Sequence, residues 1–257
     1  MSPRRARLDE RLVALGLAGT RSRAEALIRS GRVLVDDVPV EKPGTQVRED
    51  AAVRVRGDDR RFVSRGGEKL AGALEDLGVD PTGKLCLDVG ASTGGFSDCL
   101  LQSGASRVVA VDVGYGQLAQ KLRSDPRVSV LERTNARYLK PGDVPAGIEL
   151  VTLDVSFISA RLVLPALCAV APAADLLLMV KPQFEVGREQ VGKGGVVRDP
   201  ALRAQAVADV CQAAVALGWR ARGEADSRLA GPKGNREIFL WLSPQGAEKA
   251  GESPSVR

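Results

Sequence analysis

Hydrophobic residues in the first part of the chain recur at helical spacing. Between positions 8 and 28 the leucines, Ala24 and Ile28 follow a period of three to four residues, and Gly16 interrupts the run. This pattern predicts two short helices joined by a turn. Thr20 or Ser22 is predicted as the N-cap of the second helix, because a hydroxyl there can accept a bond from a free backbone N–H.

The next segment changes to the spacing of strands. Residues 31–40 predict a β-hairpin around the pair Asp36–Asp37, and Val53–Val55 predicts a short closing strand. Together these elements predict a small α+β domain over residues 1–57. The polar residues 58–63 are predicted to form a short linker.

From residue 84 onward, apolar runs of strand length alternate with helix-like stretches. Seven such runs predict seven strands, at residues 84–89, 107–113, 128–131, 148–155, 174–180, 219–222 and 237–242. Strands that alternate with helices form a mostly parallel, doubly wound sheet, so residues 64–243 are predicted to be an α/β domain with ligands beyond the carboxyl ends of its strands. The polar tail at 244–257 is predicted to be disordered.

The composition excludes several classes of site. None of the 257 residues is histidine, which excludes a Ser-His-Asp or Cys-His hydrolase and a His-ligated zinc site. No apolar run reaches about 18 residues and no secretory signal is present, so we expect a soluble, cytoplasmic monomer without membrane contact. No metal is predicted. The cysteines form no CxxC pair and are predicted to be free thiols: Cys86, Cys99, Cys168 and Cys211.

Positive charge is concentrated near the N-terminus. Residues 1–35 hold eight arginines and three acidic residues, which accounts for the whole chain's net charge of +5. Arginine binds phosphate through two parallel hydrogen bonds, so this surplus indicates a face that binds nucleic acid. A solvated helix face with an arginine bias is the alternative. The residues predicted to bind RNA are Arg4, Arg5, Arg7, Arg21, Arg23, Arg29 and Arg32.

A glycine-rich turn follows the first strand of the larger domain. Its glycines let the backbone approach a ligand closely, but their spacing is not the GxGxxG of dinucleotide sites. Asp112 follows the second strand, where an acid can accept hydrogen bonds from ribose hydroxyls. These features predict a nucleoside ligand without pyrophosphate, such as S-adenosylmethionine, and a tight turn without a ligand is the alternative. The turn residues predicted to bind it are Asp88, Gly90, Ala91, Ser92, Thr93, Gly94, Gly95 and Phe96.

Two ionisable residues follow the fourth and fifth strands. Asp154 and Lys181 come directly after apolar runs, so both are expected at the ligand-binding edge of the sheet. A lysine in such a place is a candidate general base. The alternative is a structural ion pair between the two side chains.

Residues 5–57 resemble an alpha-L RNA-binding domain. The resemblance is carried by "TRSRAEALI" and "GRVLVDD", followed by Pro43. Such domains occur in ribosomal small-subunit protein four and in many pseudouridine synthases. The resemblance implies that this part of the chain binds structured RNA and performs no chemistry.

Residues 63–242 resemble the FtsJ-type ribose 2′-O-methyltransferases. The motifs include "DVGASTGGFSDCLLQSGA", "LDVSFIS", "VKPQFEVGREQVGKGGVVRDP" and "GPKGNREIFLWL". Together with the N-terminal domain, the chain resembles the TlyA ribosomal RNA methyltransferases, historically called haemolysin A. This implies a Rossmann-like, seven-stranded class I domain that uses S-adenosylmethionine. It also implies that cytidine ribose is methylated in ribosomal RNA of the small subunit, the large subunit or both, so that ribosomal RNA and ribosomal subunits are the partners.

The same resemblance implies roles for individual residues. Glu185 is the alternative to Glu237 in the catalytic set, because it also lies near the active edge. Asn135 is implied to contact the adenine, and Val113 and Asp154 are also expected to contact the cofactor. The family's catalytic tetrad corresponds to Lys69, Asp154, Lys181 and Glu237.

Two other functions remain open on the sequence. One is a non-catalytic RNA-binding protein with a degenerate methyltransferase-like domain, against which the intact tetrad argues. The other takes the haemolysin name literally, as a pore-forming protein. Aromatic residues make up only 4% of the chain and no spanning segment is predicted, which argues against membrane insertion.

Overall fold

The computed structural model describes residues 5–56, 61–231 and 233–246. Arg4, residues 58–60 of the predicted linker and residues 247–257 of the predicted tail lie outside this range. The chain forms two compact units that divide between Arg60 and Arg61. Each is described by itself.

The first unit is a small α+β domain, as predicted. Thr20 caps the second helix by accepting a hydrogen bond from the backbone N–H of Arg23 at 3.2 Å. The hairpin turn lies at Asp36 and Asp37, whose φ angles of +48° and +66° suit the mirror-image turns of tight hairpins. The elements are β1 (Arg5–Arg7), α1 (Leu8–Ala14), α2 (Arg21–Arg29), β2 (Val33–Val35), β3 (Val38–Pro39), β4 (Gln46–Arg48) and β5 (Val53–Val55).

Two short sheets complete this unit. Strand β2 pairs with both β3 and β5, which confirms the predicted closing strand. The sequence analysis missed a second, two-stranded sheet of β1 and β4. Three-residue strands are too short to show a period, so this pairing leaves no pattern in the sequence.

A buried acid organises part of the arginine cluster. Asp9 has no exposed surface, and its carboxylate accepts from Arg7 Nε at 3.0 Å, Arg7 Nη2 at 2.8 Å and Arg21 Nε at 3.1 Å. The hydrogen bonds from Arg7 lower the pKa of Asp9. Arg7 and Arg21 therefore help to hold the domain together, a role that the sequence did not reveal.

We expect Asp9→Asn to loosen this unit at neutral pH. A lowered pKa means that the folded state favours the carboxylate, so its stabilisation is present at pH 7 and is lost as the pH falls through the lowered pKa. Because both arginines are partly exposed, the loss should be modest, about 1 kcal/mol. Hydrogen exchange of the α2 amides in the variant and the parent at pH 7 measures this loss. Equal protection in the variant and the parent at pH 7 would contradict the assignment.

The second unit is built on one seven-stranded sheet. Its strands are β6 (Leu85–Val89), β7 (Arg107–Val111), β8 (Val128–Leu131), β9 (Leu150–Leu153), β10 (Asp175–Val180), β11 (Trp219–Asp226) and β12 (Ile238–Pro244). Its helices are α3 (Arg65–Leu77), α4 (Gly95–Gln102), α5 (Gln120–Arg123), α6 (Leu164–Val170), α7 (Pro182–Glu185) and α8 (Pro200–Ala216). Short 3₁₀ turns lie at Ala136–Tyr138, Ala160–Leu162 and Arg188–Gln190.

The strand order is β8-β7-β6-β9-β10-β12-β11. Six strands run in one direction, and β12 runs antiparallel to both of its neighbours, β10 and β11. The mostly parallel α/β sheet predicted from the sequence is therefore confirmed. Strand β11 continues four residues beyond its predicted end, because its outer part alternates half-buried and exposed residues and so lacks an apolar run.

Hydrophobic residues cover both faces of this sheet. One core cluster contains Leu87, Leu178 and Trp219, and the other contains Cys86 and Leu177. Neighbouring residues of one strand thus belong to different clusters, as expected of a sheet buried on both sides. Strand β6 lies inside the sheet, with β7 on one side and β9 on the other, and in such sheets ligands bind beyond the carboxyl end of the strand at which the strand order reverses.

The cysteines are buried or half-buried free thiols, as predicted. Burial raises the pKa of both Cys86 and Cys99 to about 12, so neither is reactive at neutral pH. Within the described ranges, no helix is both long and apolar enough to cross a bilayer. The same residues include no group of three or more acids or cysteines arranged to hold a metal ion.

Candidate active site

The turn between β6 and α4 requires glycine at its first position. Gly90 has a φ of +83°, and a Cβ there would lie 2.3 Å from the carbonyl oxygen of Asp154. The backbone N–H groups of Gly90 and Ala91 both donate to the carbonyl of Val111, at 2.9 and 3.1 Å. Ser92 also has a positive φ, of +50°. The turn is therefore held against the ends of both neighbouring strands, and Ser92 and Thr93 are its exposed residues.

Asp88, in β6, bonds to the helix after this turn and to the neighbouring strand β9. The residue is completely buried, and its carboxylate accepts from Ser97 Oγ at 2.6 Å and Thr152 Oγ1 at 3.1 Å. Burial raises the pKa of Asp88 to about 6. Among the predicted cofactor residues of this segment, Asp88, Ala91, Gly94, Gly95 and Phe96 are buried, and Ser92 and Thr93 are exposed.

Asp112 lies beside the turn at the end of β7. Its carboxylate accepts from the backbone N–H of Ser92 at 2.8 Å and that of Gly114 at 2.6 Å. Asn135 follows the next strand and is exposed, and its side chain accepts from the N–H of Arg137 at 3.1 Å. Val113 is 72% exposed. The N–H of Thr134 donates to the carbonyl of Asp112 at 3.0 Å, so Val113 and Asn135 each follow one member of this contact.

Two ion pairs lie at the same edge of the sheet. Lys181 pairs with Asp154 and donates to Ser156 Oγ at 2.9 Å, whereas Lys69 pairs with Glu237. Three of the four charged residues are at least 90% buried, and Asp154 is partly exposed.

The strand register explains why the two pairs are neighbours. Val180 of β10 pairs with Ile238 of β12 in antiparallel register, so the next position places Lys181 opposite Glu237. Asp154 follows β9, which runs parallel to β10. The structure thus brings together all four residues of the predicted tetrad.

Lys69 belongs to helix α3. Contacts before and after Lys69 in this helix attach α3 to the rest of the unit. Arg65 donates to the carbonyl of Ala230 at 3.2 Å, and Arg228 pairs with Glu75 at 2.8 Å and with Asp76 at 2.5 Å. These contacts tie α3 to the loop before β12. They hold the Lys69 ammonium against Glu237.

Of the two candidate glutamates, Glu237 pairs with Lys69, whereas Glu185 lies 3.4 Å from Arg161 Nε. Glu185 follows Lys181 by four positions and is buried. Its carboxylate accepts hydrogen bonds from Ser159 and Ala160, in the segment after β9. Sequence reasoning could not separate the two acids, because both follow strand-like motifs at the active edge.

Two neighbouring residues were missed by the sequence analysis. Ser156 contacts Lys181, and Phe157 is 89% exposed with a φ of +69° and its ring 5.4 Å from that of Phe184. Their place in "LDVSFIS", directly after a strand, was the available signal.

The glycine-rich loop at residues 185–200 is pinned beside the tetrad. Asn235 is 3% exposed, accepts from the N–H of Val197 at 3.0 Å and donates to the carbonyl of Gly195 at 2.8 Å. The loop also folds back on itself through a bridge between Gly192 and Val196. Asn235 therefore fastens the second half of this loop, whereas residues 188–190 and 192–194 are exposed.

The arginines predicted to bind RNA differ in their surroundings. Arg5 and Arg23 are exposed and form no ion pair with another described residue. Arg29 lies 3.6 Å from Glu25, and Arg32 donates to the carbonyl of Arg56 at 3.2 Å. Arg7 and Arg21 are bound to Asp9, while Arg4 lies outside the described residues.

Comparisons with known proteins agree with this geometry. Residues 62–243 match the model of the FtsJ-like methyltransferases, and residues 6–53 match that of the S4 domain. A Mycobacterium tuberculosis protein named 16S/23S rRNA (cytidine-2'-O)-methyltransferase TlyA is 54% identical over 94% of this chain and 91% of its own length.

Two solved structures support the same relationship. A hemolysin-named protein of Streptococcus thermophilus is 37% identical with a TM-score of 0.72, over 96% of this chain and 90% of that chain. A hemolysin-named protein of Lactococcus lactis is 44% identical with a TM-score of 0.70, over 73% of this chain and 91% of that chain. The chain therefore belongs to the FtsJ-like methyltransferases and, among them, to the TlyA group of rRNA methyltransferases.

Proposed function

We propose that this protein methylates the 2′-oxygen of a cytidine ribose in ribosomal RNA, with S-adenosylmethionine as donor. The observation that carries the proposal is the pair of buried lysine–carboxylate contacts at the carboxyl edge of the sheet, next to the glycine turn. A degenerate domain would have no reason to keep four paired ionisable residues there, three of them buried, since burying charges is costly unless they are paired. The name of the 54% identical relative supports cytidine in 16S and 23S rRNA as the substrate.

The cofactor fits the crevice above β6. We assign its methionine and ribose parts to the Gly90–Gly95 turn and Asp112, and its adenine to the side of Val113 and Asn135. S-adenosylmethionine, when bound, would supply a sulfonium methyl group: an oxygen nucleophile bonds to the methyl carbon in line as the carbon–sulfur bond breaks, and the neutral thioether leaves. The Asp112 carboxylate suits the hydroxyl groups of a ribose. The glycine spacing of the turn differs from the GxGxxG of dinucleotide sites, so the turn suits a nucleoside that carries no pyrophosphate.

The four charged residues then prepare the 2′-hydroxyl. Lys181 accepts its proton or stabilises the developing alkoxide, and Asp154 holds the Lys181 amine in place. Glu237 pairs directly with Lys69. Glu237 therefore fixes Lys69, which orients the hydroxyl. Such positioning can supply several kcal/mol of the barrier reduction.

The exposed ring of Phe157 suits the RNA side of this reaction. It follows Ser156 directly, and its partner ring belongs to Phe184, which lies three residues after Lys181. Aromatic side chains bind unpaired bases by stacking, at about 1–3 kcal/mol per base. We assign this ring to the base of the target nucleotide or its neighbour.

We assign RNA docking to the N-terminal unit, with Arg5 and Arg23 as its phosphate contacts. The double variant Arg5→Ala/Arg23→Ala should weaken RNA binding and reduce the slope of log K against log salt by about 1.5, since each phosphate contact contributes about 0.7–0.9. Filter binding over a salt series measures this slope. Arg127→Ala is the matched control, because Arg127 is paired with Asp125 in the other unit. An unchanged slope in the double variant would exclude these two arginines as phosphate contacts.

Transfer of tritium from labelled S-adenosylmethionine tests the proposed reaction. Purified small and large ribosomal subunits that lack the modification are incubated with the protein, and label is counted in the extracted RNA. Label in RNA is the expected result, and the subunit that carries it identifies the substrate. No label in either subunit, with cofactor binding intact, would overturn the proposal.

A further inference from the structure

Glu185 is a buried carboxylate that the reaction described above does not use. It is 7% exposed, accepts from Ser159 Oγ at 2.5 Å and from the backbone N–H of Ala160 at 2.7 Å, and lies 3.4 Å from Arg161 Nε. Arg161 in turn lies 4.0 Å from Asp209 of α8. Burial raises the pKa of Glu185, and these hydrogen bonds oppose that effect. A buried acid with so many partners holds its surroundings in one arrangement.

Those surroundings are the two loops that carry the Lys181–Asp154 pair. Glu185 is the last residue of α7, which begins immediately after Lys181. Ser159 and Ala160 belong to the loop that begins at Asp154. Glu185 therefore joins the loop after β9 to the loop after β10.

Ser156 makes a second contact between the loop after β9 and the segment after β10. Its Oγ accepts from Lys181 Nζ at 2.9 Å. The contacts form a ring that runs from Lys181 through α7 to Glu185, across to Ser159 and back along the loop to Ser156. Because every link is short, a change at Glu185 reaches the Lys181 amine through Ser156.

The backbone of this loop needs such a restraint. Phe157 is a bulky residue with a φ of +69°, a conformation that costs energy for any residue other than glycine. Strained backbone persists only where its surroundings hold it. The loop is held before Phe157 by the bond from Asp154 N to the carbonyl of Val89 at 2.9 Å, and after it by Glu185.

We propose that Ser156 and Glu185 are positioning residues for Lys181. Ser156 orients the amine, and Glu185 holds the loop that presents Ser156. A hydroxyl can both donate and accept, so Ser156 can bond to Lys181 Nζ with or without its extra proton, whereas the Asp154 carboxylate can only accept. This inference rests on the proposed reaction for its consequence on rate, but its structural part can be measured without that reaction.

The test compares Ser156→Ala, Ser156→Thr and Glu185→Gln in the full chain. Single-turnover methyl transfer to ribosomal subunits is followed as a function of pH. Ser156→Ala should slow transfer about 10-fold and move the midpoint of the pH–rate profile, while cofactor affinity stays within two-fold. Ser156→Thr keeps the hydroxyl and should recover most of the rate. Glu185→Gln should shift the midpoint in the same direction. The double variant Ser156→Ala/Glu185→Gln should slow transfer by less than the product of the two single-variant factors, because both act through the same contact.

A second readout does not depend on transfer. In protein labelled with ¹³C at lysine Cε, the Lys181 signal is assigned by its loss in Lys181→Ala. Ser156→Ala and Glu185→Gln should each move this signal. The matched control is Glu149→Gln, since Glu149 also fastens a loop, by accepting from the N–H of Leu85 at 3.1 Å, but at the opposite edge of the sheet.

The outcomes separate the two proposals. If the Lys181 signal and the pH midpoint stay unchanged in both variants, Ser156 and Glu185 do not position Lys181. The same conclusion follows if the loss of rate appears only as weaker binding of RNA or cofactor. If the signal moves but the parent protein methylates no RNA, the positioning role holds and the proposed reaction fails.

Discussion

Replacing Lys181 with alanine should reduce methyl transfer at least about 1000-fold while S-adenosylmethionine binding stays within about two-fold. The expected loss is large because Lys181 is the group that removes the 2′-hydroxyl proton or stabilises the alkoxide, and general-base catalysis is worth about 100- to 10,000-fold. Binding should survive because we assign the cofactor to the glycine turn and Asp112, whereas the side-chain contacts of Lys181 are Asp154 and Ser156. Labelled transfer to ribosomal subunits and isothermal titration calorimetry measure the two quantities.

The control for this prediction is Lys84→Ala. Lys84 directly precedes β6 and so lies at the opposite edge of the same sheet, where its removal should leave both quantities unchanged. If Lys181→Ala lost cofactor binding in parallel with transfer, the Lys181–Asp154 pair would be structural, which is the alternative that the sequence left open.

Gly90→Ala should remove cofactor binding and destabilise the second unit by several kcal/mol. The φ of +83° costs an alanine about 1–2 kcal/mol. The larger part comes from the clash of its Cβ, 2.3 Å from the carbonyl oxygen of Asp154. That oxygen belongs to backbone, so relief requires the β6 turn to separate from β9, which displaces the cofactor turn and Asp154 together. Urea unfolding and calorimetric titration with S-adenosylmethionine measure the two effects.

Gly83→Ala separates the clash from the backbone strain. Gly83 has a similar φ of +74°, but a Cβ there meets no atom within 4 Å, and the residue lies before β6 at the far end of the strand. The free energy of unfolding of Gly83→Ala should fall by about 1 kcal/mol, and this variant should still bind the cofactor. Equal losses in the two variants would show that close packing of the turn against Asp154 contributes nothing.

Much of the fold followed from patterns along the chain. All seven strands of the large sheet were predicted, and the central strands β6, β9 and β10 stand out because they are apolar runs buried on both faces. Only the first four residues of β11 were predicted, because the rest of that strand is partly exposed and polar. The reversed direction of β12 could not be predicted, since antiparallel and parallel buried strands have the same apolar run. The strands β1 and β4 were missed because three residues do not establish a period.

The candidate site was predictable where a residue follows a strand. Asp112, Asp154 and Lys181 each have such a position, and the sheet topology brings them to one edge. What the sequence could not supply was the pairing. Glu237 and Lys69 are 168 positions apart in the sequence, and they meet only because α3 packs against the segment that leads into β12. In the same way, Asp9 gives two of the predicted RNA-binding arginines a structural partner, which only folding reveals.

The most direct test of the proposed function is the chemical identity of the methylated nucleoside. Ribosomal RNA treated with the protein and S-adenosylmethionine is digested to nucleosides and analysed by mass spectrometry against 2′-O-methylcytidine. The account predicts 2′-O-methylcytidine with the parent protein and none with Lys181→Ala. A methyl group on a base, or on a ribose other than that of cytidine, would contradict it.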